Sequence, residues 1–322
     1  MLVVHGYSDV PKEARGASLA IGNFDGVHRG HQALLERALV EARAGRRPAG
    51  AIIFEPHPRE HFLPDEPHFP LTSLAEKLRL FRGLGLDVAV VIRFDAGLAR
   101  LSAEEFIERV LVLGLAIGHI VIGYDFFFGH GRAGTPQTLR AAGKKHGFGV
   151  TVIDPVAEAG EVFSSTAIRL KLAQGDARGA AHALGRPWRV AGRVIGGAKR
   201  GTALGFPTAN IPLARGTALA HGIYAVRVHV DGERLDGAAY LGTRPTFDDG
   251  MPVLEVFLLD FEGELYGREI EVEFIEHIRE DRRFDSADAL KAQMAEDCTK
   301  ARAILAAGEG RRAPFASRGR GC

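Results

Sequence analysis

The sequence has 322 residues, 46% of them hydrophobic and 25% charged, which excludes a short peptide and a wholly disordered chain. At about 150 residues per domain, this length predicts two domains. The 41 lysines and arginines nearly balance 40 aspartates and glutamates, so the formal net charge of +1 favours neither nucleic acid nor a membrane as partner. Two cysteines, Cys298 and Cys322, argue against a disulfide framework, and we expect a reducing, cytoplasmic location.

The first half of the chain alternates short apolar runs with helical patterns, which predicts βα units and a parallel sheet. Strands are expected over 17–22, 49–54, 87–94, 119–124 and 149–153. Capping signals mark three helix starts, namely Ser73 with Glu76, Ser102 with Glu105, and Thr135 before Pro136. A last helical stretch is expected over 164–185. We therefore predict a Rossmann-like α/β domain over residues 1–186.

After Pro187 the pattern changes to short strands separated by glycine-rich turns. Strands are expected over 188–195, 222–230, 235–241, 253–261 and 269–278, with a hairpin turn at Asp231-Gly232. A helix over 286–307 follows. The pattern predicts a small antiparallel β-barrel domain with a C-terminal helix over residues 187–307, and a disordered basic tail over 308–322.

A glycine- and histidine-rich motif lies where the first predicted α/β strand ends and the first helix begins. It reads Gly22-Asn23-Phe24-Asp25-Gly26-Val27-His28-Arg29-Gly30-His31. At such a junction backbone N–H groups point outward, and both imidazoles can donate hydrogen bonds to phosphate oxygens. Taken alone, an H-x-G-H sequence is equally typical of a tight turn with two surface histidines. Its position favours a phosphate-binding turn.

A second motif, Ser164-Ser165-Thr166-Ala167-Ile168-Arg169, opens the last helical stretch of the first half. Hydroxyl groups at a helix start can cap the helix or bind an anion, and Arg169 can neutralise phosphoryl charge. Taken alone, the motif is more typical of an N-cap followed by a surface arginine.

A third motif, Gly129-His130-Gly131-Arg132-Ala133-Gly134, matches the dinucleotide-binding pattern G-x-G-x-x-G. We interpret it instead as a substrate loop, because residues 125–128 separate it from the preceding strand and the phosphate-binding turn lies at the first βα junction.

Taken together, these motifs resemble the bacterial bifunctional riboflavin kinase/FMN adenylyltransferase (FAD synthetase) family. In the first half the resemblance rests on the H-x-G-H turn, the Gly123-Tyr124-Asp125-Phe126 run and the Ser-Ser-Thr-x-Ile-Arg segment. In the second half it rests on Lys199-Arg200-Gly201, Gly205-Phe206-Pro207-Thr208-Ala209-Asn210, Gly222-Ile223-Tyr224, Arg244-Pro245-Thr246-Phe247, Leu254-Glu255 and Leu265-Tyr266-Gly267. It extends from about residue 15 to 307.

The resemblance implies that ATP phosphorylates riboflavin to FMN and that a second ATP adenylylates FMN to FAD. In the first half it implies catalytic roles for His28, His31 and Arg169. ATP phosphates would also be bound by Gly22, Asn23, Phe24, Asp25, Gly30, Ser164, Ser165 and Thr166. Asp125 and Phe126 would contact the flavin nucleotide.

In the second half the acceptor would be a ribityl hydroxyl, a poor nucleophile that needs a general base. We expect Glu255 to be that base, because it is a lone acid in an apolar strand; the less favoured alternative is a solvent-facing glutamate of an edge strand. Thr208 and Asn210 are oxygen donors suited to Mg²⁺. Gly201, Gly205 and Pro207 are expected to contact ATP.

The sequence departs from the family pattern at four positions: Ala167, Phe127, Gly197 and Tyr240. Two further hypotheses therefore stay open. The first is a riboflavin kinase with a weak adenylyltransferase half, or one that uses another phosphorylated acceptor. The second is a flavin-binding sensor without catalysis. We expect small-molecule partners only, namely riboflavin, FMN and ATP, and a monomer or weak homo-oligomer.

Overall fold

The structure, a computed structural model, describes residues 1–196, 207–213, 216–243 and 252–308. The chain forms two compact units, Met1–Ser165 and Thr166–Cys322. The domain boundary expected at residues 186 and 187 stays a prediction. The tail expected to be disordered lies, from residue 309 on, outside the described residues.

The first unit is built on a six-stranded sheet in which all neighbouring strands are parallel. Its strands are β1 Leu2–His5, β2 Ser18–Ile21, β3 Ala49–Glu55, β4 Val88–Arg93, β5 His119–Gly123 and β6 Gly149–Ile153. The order across the sheet is β1-β4-β3-β2-β5-β6. The five predicted strands are confirmed, and β1 at the edge is added.

Helices of the first unit connect these strands. They are α1 Arg29–Gly45, α2 Pro58–Phe62, α3 Leu74–Gly83, α4 Ala96–Arg100, α5 Ala103–Glu105, which continues as π-helical turns over Phe106–Gly114, and α6 Pro136–His146. All three predicted caps are present: the side chains of Ser73, Ser102 and Thr135 accept hydrogen bonds at the starts of α3, α5 and α6. A short hairpin, β7 Ala157–Glu158 and β8 Glu161–Val162, follows β6. Two apolar clusters, which include Ile52 and Ile53 respectively, bury the two faces of the sheet.

The second unit is built on an antiparallel six-stranded sheet that closes on itself. Its strands are β9 Trp188–Arg193, β10 Thr208–Pro212, β11 Gly222–Val230, β12 Glu233–Thr243, β13 Pro252–Leu258 and β14 Glu269–Arg279, in the order β10-β13-β12-β11-β14-β9. The N–H of Ile195, just after β9, donates to the Asn210 carbonyl of β10 at 2.9 Å, which joins the two ends of the sheet. The predicted antiparallel barrel is therefore present, with β10 as a strand that the sequence did not mark.

Helices of the second unit are α7 Ser165–Ala173, α8 Ala177–Leu184 and α9 Ala287–Gly308. The side chains of β14 alternate between the two faces of the barrel wall. Those of Ile270, Val272 and Phe274 are buried, while Glu271 and Glu273 lie on the other face. Both glutamates form ion pairs with Arg189 of β9. Within the ranges described above, no helix is long and apolar enough to cross a membrane.

Candidate active sites

The glycine- and histidine-rich turn lies at the switch point of the first sheet. From β2 the chain proceeds to β3 and β4 on one side, and later to β5 and β6 on the other. Ligands of open α/β sheets bind beyond the carboxyl ends of the strands at such a reversal. The turn Gly22–Val27, which follows β2 and leads into α1, therefore occupies the position where this architecture binds ligands.

The turn has an unusual backbone that neighbouring groups hold in place. Phe24 and Val27 have positive φ angles of 49° and 43°, and Gly26 has 85°. Left-handed conformations cost non-glycine residues of order 1–2 kcal/mol each, so they persist only where the surroundings fix them. The buried Asp25 carboxylate accepts hydrogen bonds from the backbone N–H groups of Leu71 (2.8 Å) and Thr72 (3.2 Å). Asp25 is thus directed into the protein, where it shapes the turn.

His28 acts as the N-cap of α1, and its ring orientation follows from this contact. Its Nδ1 accepts a hydrogen bond from the backbone N–H of His31 at 3.3 Å. A neutral imidazole that accepts at Nδ1 carries its proton on Nε2, which leaves that N–H able to donate. Gly30 makes room for the ring, since a Cβ there would lie 3.1 Å from His28 Nδ1 and 3.2 Å from the Phe163 carbonyl oxygen.

The two histidines form one unit at the start of α1. Their rings stack with centroids 3.6 Å apart, and the Phe24 ring meets His31 edge-on at 5.2 Å. Burial, followed by the neighbouring His28 and Lys77, holds the pKa of His31 well below its usual value. His31 is therefore neutral near pH 7. An anion bound at this helix start would find backbone N–H groups of the first turn beside these imidazoles.

An ion pair with one buried partner lies in the same region. The side chain of Lys77, on α3, is only 4% exposed, and its ammonium lies 3.6 Å from Glu55 Oε2 at the carboxyl end of β3. This buried oxygen accepts no hydrogen bond from the described residues. Sequence reasoning missed Lys77, because a single lysine in an amphipathic helix gives no sign of burial.

The Ser164–Arg169 motif divides between the end of the first unit and the start of α7. The Ser165 hydroxyl, at the end of the first unit, donates to the Asp25 carbonyl oxygen of the turn at 2.8 Å. Ser164 and Arg169 are half-buried and Thr166 is exposed. A phosphate-binding role for these side chains stays a prediction.

An aromatic cluster with one exposed ring lies at the carboxyl ends of the neighbouring strands, and sequence reasoning missed it. Phe62 of α2 is 62% exposed, and its ring contacts those of His61 and Phe94. The predicted flavin contacts differ in exposure, since Asp125 is exposed while Phe126 is half-buried and stacks on Phe128 at 5.5 Å. Large exposed aromatic rings beside a polar turn are typical of a site for a planar ligand.

In the second unit, strand register brings three predicted residues together. Asn210 of β10 lies directly opposite Glu255 of β13, and Thr208 lies two residues before Asn210 on the same face. Directly opposite residues have Cβ atoms about 5 Å apart. Tyr240 of β12 is the other direct neighbour of Glu255. Thr208, Asn210 and Glu255 therefore form a row of oxygen-bearing side chains.

Glu255 is half-buried and Asn210 is only 4% exposed. The Asn210 side chain donates through Nδ2 to the Thr208 carbonyl at 3.4 Å, so its amide oxygen is directed away from that contact. The opposite face of these strands carries buried apolar residues such as Ile211 and Val256. The row thus lies on the outer face of the barrel wall.

A cavity of about 280 Å³ is lined by Pro207 and Thr208, whereas neither Asn210 nor Glu255 lines it. Its apolar wall includes Val194, Val256 and Leu265. Gly201 and Gly205, predicted to contact ATP, lie outside the described residues. A larger groove of about 680 Å³ lies at the opposite, amino-terminal edge of the first sheet, away from the histidine turn.

These features define a class: proteins that join a nucleotidyltransferase-type α/β unit, with H-x-G-H at its switch point, to a flavokinase-type antiparallel barrel. Residues 10–167 match the family model of FAD synthetase, and residues 184–305 match that of riboflavin kinase. The resemblance inferred from the motifs is thereby confirmed. The chain belongs to the bifunctional riboflavin kinase/FMN adenylyltransferase family.

Curated relatives match over almost their whole length. The bifunctional riboflavin kinase/FMN adenylyltransferase of Escherichia coli (strain K12) is 44% identical over 300 residues, covering 93% of this chain and 95% of the relative. The protein of the same name from Bacillus subtilis (strain 168) is 35% identical, covering 92% and 94%. A solved structure described as a macrolide-efflux protein from Streptococcus pneumoniae has a TM-score of 0.82 and 28% identity, covering 94% of this chain and 99% of that one.

Proposed function

We propose that this chain converts riboflavin to FMN and FMN to FAD, each step at the expense of one ATP. The observation that carries the proposal is the presence of both family matches on one chain, together with relatives named for both activities. The kinase step belongs to the second unit and the adenylyl transfer to the first.

Adenylyl transfer needs no covalent intermediate with the protein. A phosphate oxygen of FMN attacks the α-phosphorus of ATP, the bond to the β-phosphate oxygen breaks, and pyrophosphate leaves. Positioning and charge neutralisation therefore supply the catalysis. We assign phosphate contacts to the Nε2–H of His28, to His31 and to the first-turn N–H groups of α1, with Ser165, Thr166 and Arg169 as the predicted second wall.

A phosphate close to His31 favours its protonated form, because the phosphate is negatively charged. Binding of the triphosphate would thus raise the pKa of the buried His31 ring. The buried ammonium of Lys77 adds a fixed positive charge to the same region. This arrangement would stabilise a transition state in which the α-phosphorus is pentacoordinate and its oxygens carry negative charge.

We place the isoalloxazine ring of FMN against the aromatic cluster of His61, Phe62 and Phe94, in which Phe62 is the exposed ring. The cluster lies beyond the carboxyl ends of β3 and β4, next to the strand that leads into the histidine turn. Stacking on exposed rings would orient the flavin while its phosphate reaches the turn. Asp125 and Phe126 stay predicted contacts for the same nucleotide.

In the kinase unit we assign the general base to Glu255. Its carboxylate would take the proton of the ribityl hydroxyl as that oxygen bonds to the γ-phosphorus of ATP, and ADP leaves. Its register with Asn210 and Thr208 supports this assignment. Pro207 and the cavity beside it would receive part of the nucleotide.

Two side chains of the same row fit Mg²⁺. The Thr208 hydroxyl and the Asn210 amide oxygen are hard oxygen donors, and Mg²⁺ commonly keeps few protein ligands plus substrate phosphates and waters. When bound, the ion would neutralise triphosphate charge. In the described part of the chain, no cluster of three or more histidine, cysteine or acidic side chains is arranged to hold a metal.

The proposal is tested by incubating the protein with riboflavin, ATP and Mg²⁺ and separating the flavins. We expect both FMN and FAD; FMN alone would support a kinase with an altered first unit, and unchanged riboflavin would support a sensor. Glu255→Gln should lower FMN formation by about 10²- to 10⁴-fold and leave conversion of supplied FMN to FAD intact. The matched control is Glu269→Gln, at an exposed glutamate of β14.

The complementary variant, His28→Ala with His31→Ala, should stop FAD formation and spare FMN formation. If either set of variants abolished both activities in a folded protein, the division of labour between the units would be wrong. A cytoplasmic location and a monomeric or weakly associating chain stay predictions from the sequence.

A further inference from the structure

Thr72 lies outside every motif discussed above, yet it contacts the histidine turn directly. It is 6% exposed and immediately precedes Ser73, the N-cap of α3. Its hydroxyl oxygen accepts a hydrogen bond from the Gly26 N–H at 2.9 Å and lies 3.5 Å from Asp25 Oδ1. Its own N–H donates to the same carboxylate oxygen at 3.2 Å. One side chain thus satisfies the buried amide at the centre of the turn and approaches the carboxylate beside it.

The amide that Thr72 satisfies belongs to a stretch of backbone with unusual dihedral angles. Phe24, Gly26 and Val27 all have positive φ angles, and Val27 is β-branched, which makes the left-handed region especially unfavourable. The Phe24 carbonyl is already engaged by the Val27 N–H at 3.1 Å. A turn of this kind persists only when external contacts hold it, and the Gly26 N–H is one of the groups held.

The turn leads straight into the catalytic candidates. His28 follows Gly26 by two residues, and its Nδ1 caps α1. A shift of Gly26 would therefore be passed on to the imidazole stack of His28 and His31. Displacements of about 1 Å at a reacting group can lower a rate by about 100-fold.

We infer that Thr72 is a positioning residue for adenylyl transfer: its hydroxyl fixes the turn Phe24–Val27, so that the two imidazoles meet the ATP phosphates in the reactive orientation. The inference rests on the proposed function of the first unit. Thr72 itself touches no substrate. Its contribution acts through Gly26 and Asp25.

The test compares Thr72→Val with Thr72→Ser. Valine keeps the size and branching of threonine but leaves the Gly26 N–H without its acceptor, whereas serine keeps the hydroxyl. We expect Thr72→Val to lower kcat for FMN adenylylation by about 10- to 100-fold with little change in KM for FMN. Thr72→Ser should stay within about threefold of the natural protein. Riboflavin phosphorylation by the same chains serves as the internal control and should not change.

Several outcomes would overturn the inference while leaving the proposed function intact. One is a folded Thr72→Val protein that adenylylates FMN at more than half the natural rate. Another is a Thr72→Ser protein as impaired as Thr72→Val, which would show that the hydroxyl is not the relevant group. Failure of the natural protein to form FAD would instead refute the proposed function.

Should the first unit of Thr72→Val fail to fold by circular dichroism, Thr72→Ala provides a second test. Alanine also removes the hydroxyl that accepts from the Gly26 N–H, and it places no methyl group where that hydroxyl lies. Its kcat for adenylylation should fall as expected for Thr72→Val, with unchanged riboflavin phosphorylation. A folded Thr72→Ala protein with an unchanged kcat would overturn the inference.

Discussion

The ion pair between Lys77 and Glu55 allows a quantitative prediction for the first unit. At the observed 3.6 Å separation, two unit charges attract by about 4–5 kcal/mol at an effective dielectric constant of 20. Desolvation of the ammonium, whose side chain is 4% exposed, offsets much of this attraction. Glu55 keeps 35% of its side chain in water, so the cost of leaving it without a partner is below that of a fully buried charge.

We therefore expect Lys77→Met and Glu55→Gln each to lower the free energy of unfolding of the first unit by about 2–3 kcal/mol. The double variant should be destabilised by about 1–3 kcal/mol less than the sum of the two, because the charges are then removed together. Lys145→Met, at an exposed lysine of α6, is the matched control and should lie within about 0.5 kcal/mol of the natural protein.

The assay uses the position of the sole tryptophan, Trp188, in the second unit. Urea unfolding is followed by far-ultraviolet circular dichroism for the whole chain and by Trp188 fluorescence for the barrel. The Lys77 and Glu55 variants should move the transition of the first unit and leave the Trp188 transition in place. Strict additivity of the two single variants would refute the assigned ion pair, and so would an equal shift of the Trp188 transition.

Three further predictions concern other parts of the chain. Burial, His28 and Lys77 lower the pKa of His31 in the folded first unit, whereas a histidine of the unfolded chain has a pKa of about 6.5. Protonation of His31 therefore favours the unfolded chain. The free energy of unfolding is unaffected by this group above about pH 6.5 and declines as the pH falls from there towards the folded pKa. His31→Gln should thus show a flatter pH dependence of unfolding by circular dichroism, and equal slopes would contradict this. Phe62→Ala, at a ring 62% exposed, should raise KM for FMN about five- to 30-fold, equivalent to ~1–2 kcal/mol, with an unchanged unfolding midpoint; an unchanged KM would remove the ring from the flavin site. Tyr224→Phe removes a buried hydroxyl that donates to the Ala220 carbonyl at 2.6 Å and should destabilise the barrel by about 1 kcal/mol, seen in Trp188 fluorescence, whereas an unshifted midpoint would show that this hydrogen bond contributes nothing net.

Strands with continuous apolar runs could be predicted from the sequence to within a few residues. Ala49–Glu55 and Val88–Arg93 are examples, because a strand buried on both faces of a parallel sheet leaves an uninterrupted apolar signal. Leu2–His5 is a four-residue edge strand, and Thr208–Pro212 contains an asparagine and ends in proline, so neither carries that signal. Pairing with β4 and with β13, respectively, makes them strands, and such pairing depends on tertiary contacts.

In the candidate sites too, some residues can be predicted from local sequence and others only from the folded structure. The H-x-G-H turn can be predicted from the sequence because its residues are consecutive. The family resemblance and the strand pattern identify Thr208, Asn210 and Glu255. Thr72 and Lys77 approach the turn from a segment more than 40 residues further along the chain. No local pattern distinguishes a threonine that accepts from a distant amide from one that faces water. Their contribution is visible only once the chain is folded.

The joint between β9 and β10 has a consequence for how this barrel can change over evolutionary time. Ile195 and Asn210 are held together by a backbone hydrogen bond of 2.9 Å, so the connection between them leaves and re-enters the wall at one point. Lengthening a connection whose ends already meet costs only about 0.6 kcal/mol for each doubling. Insertions between these two residues would therefore cost little free energy, so the length of this connection can change while the strand pairing that carries Glu255 is kept.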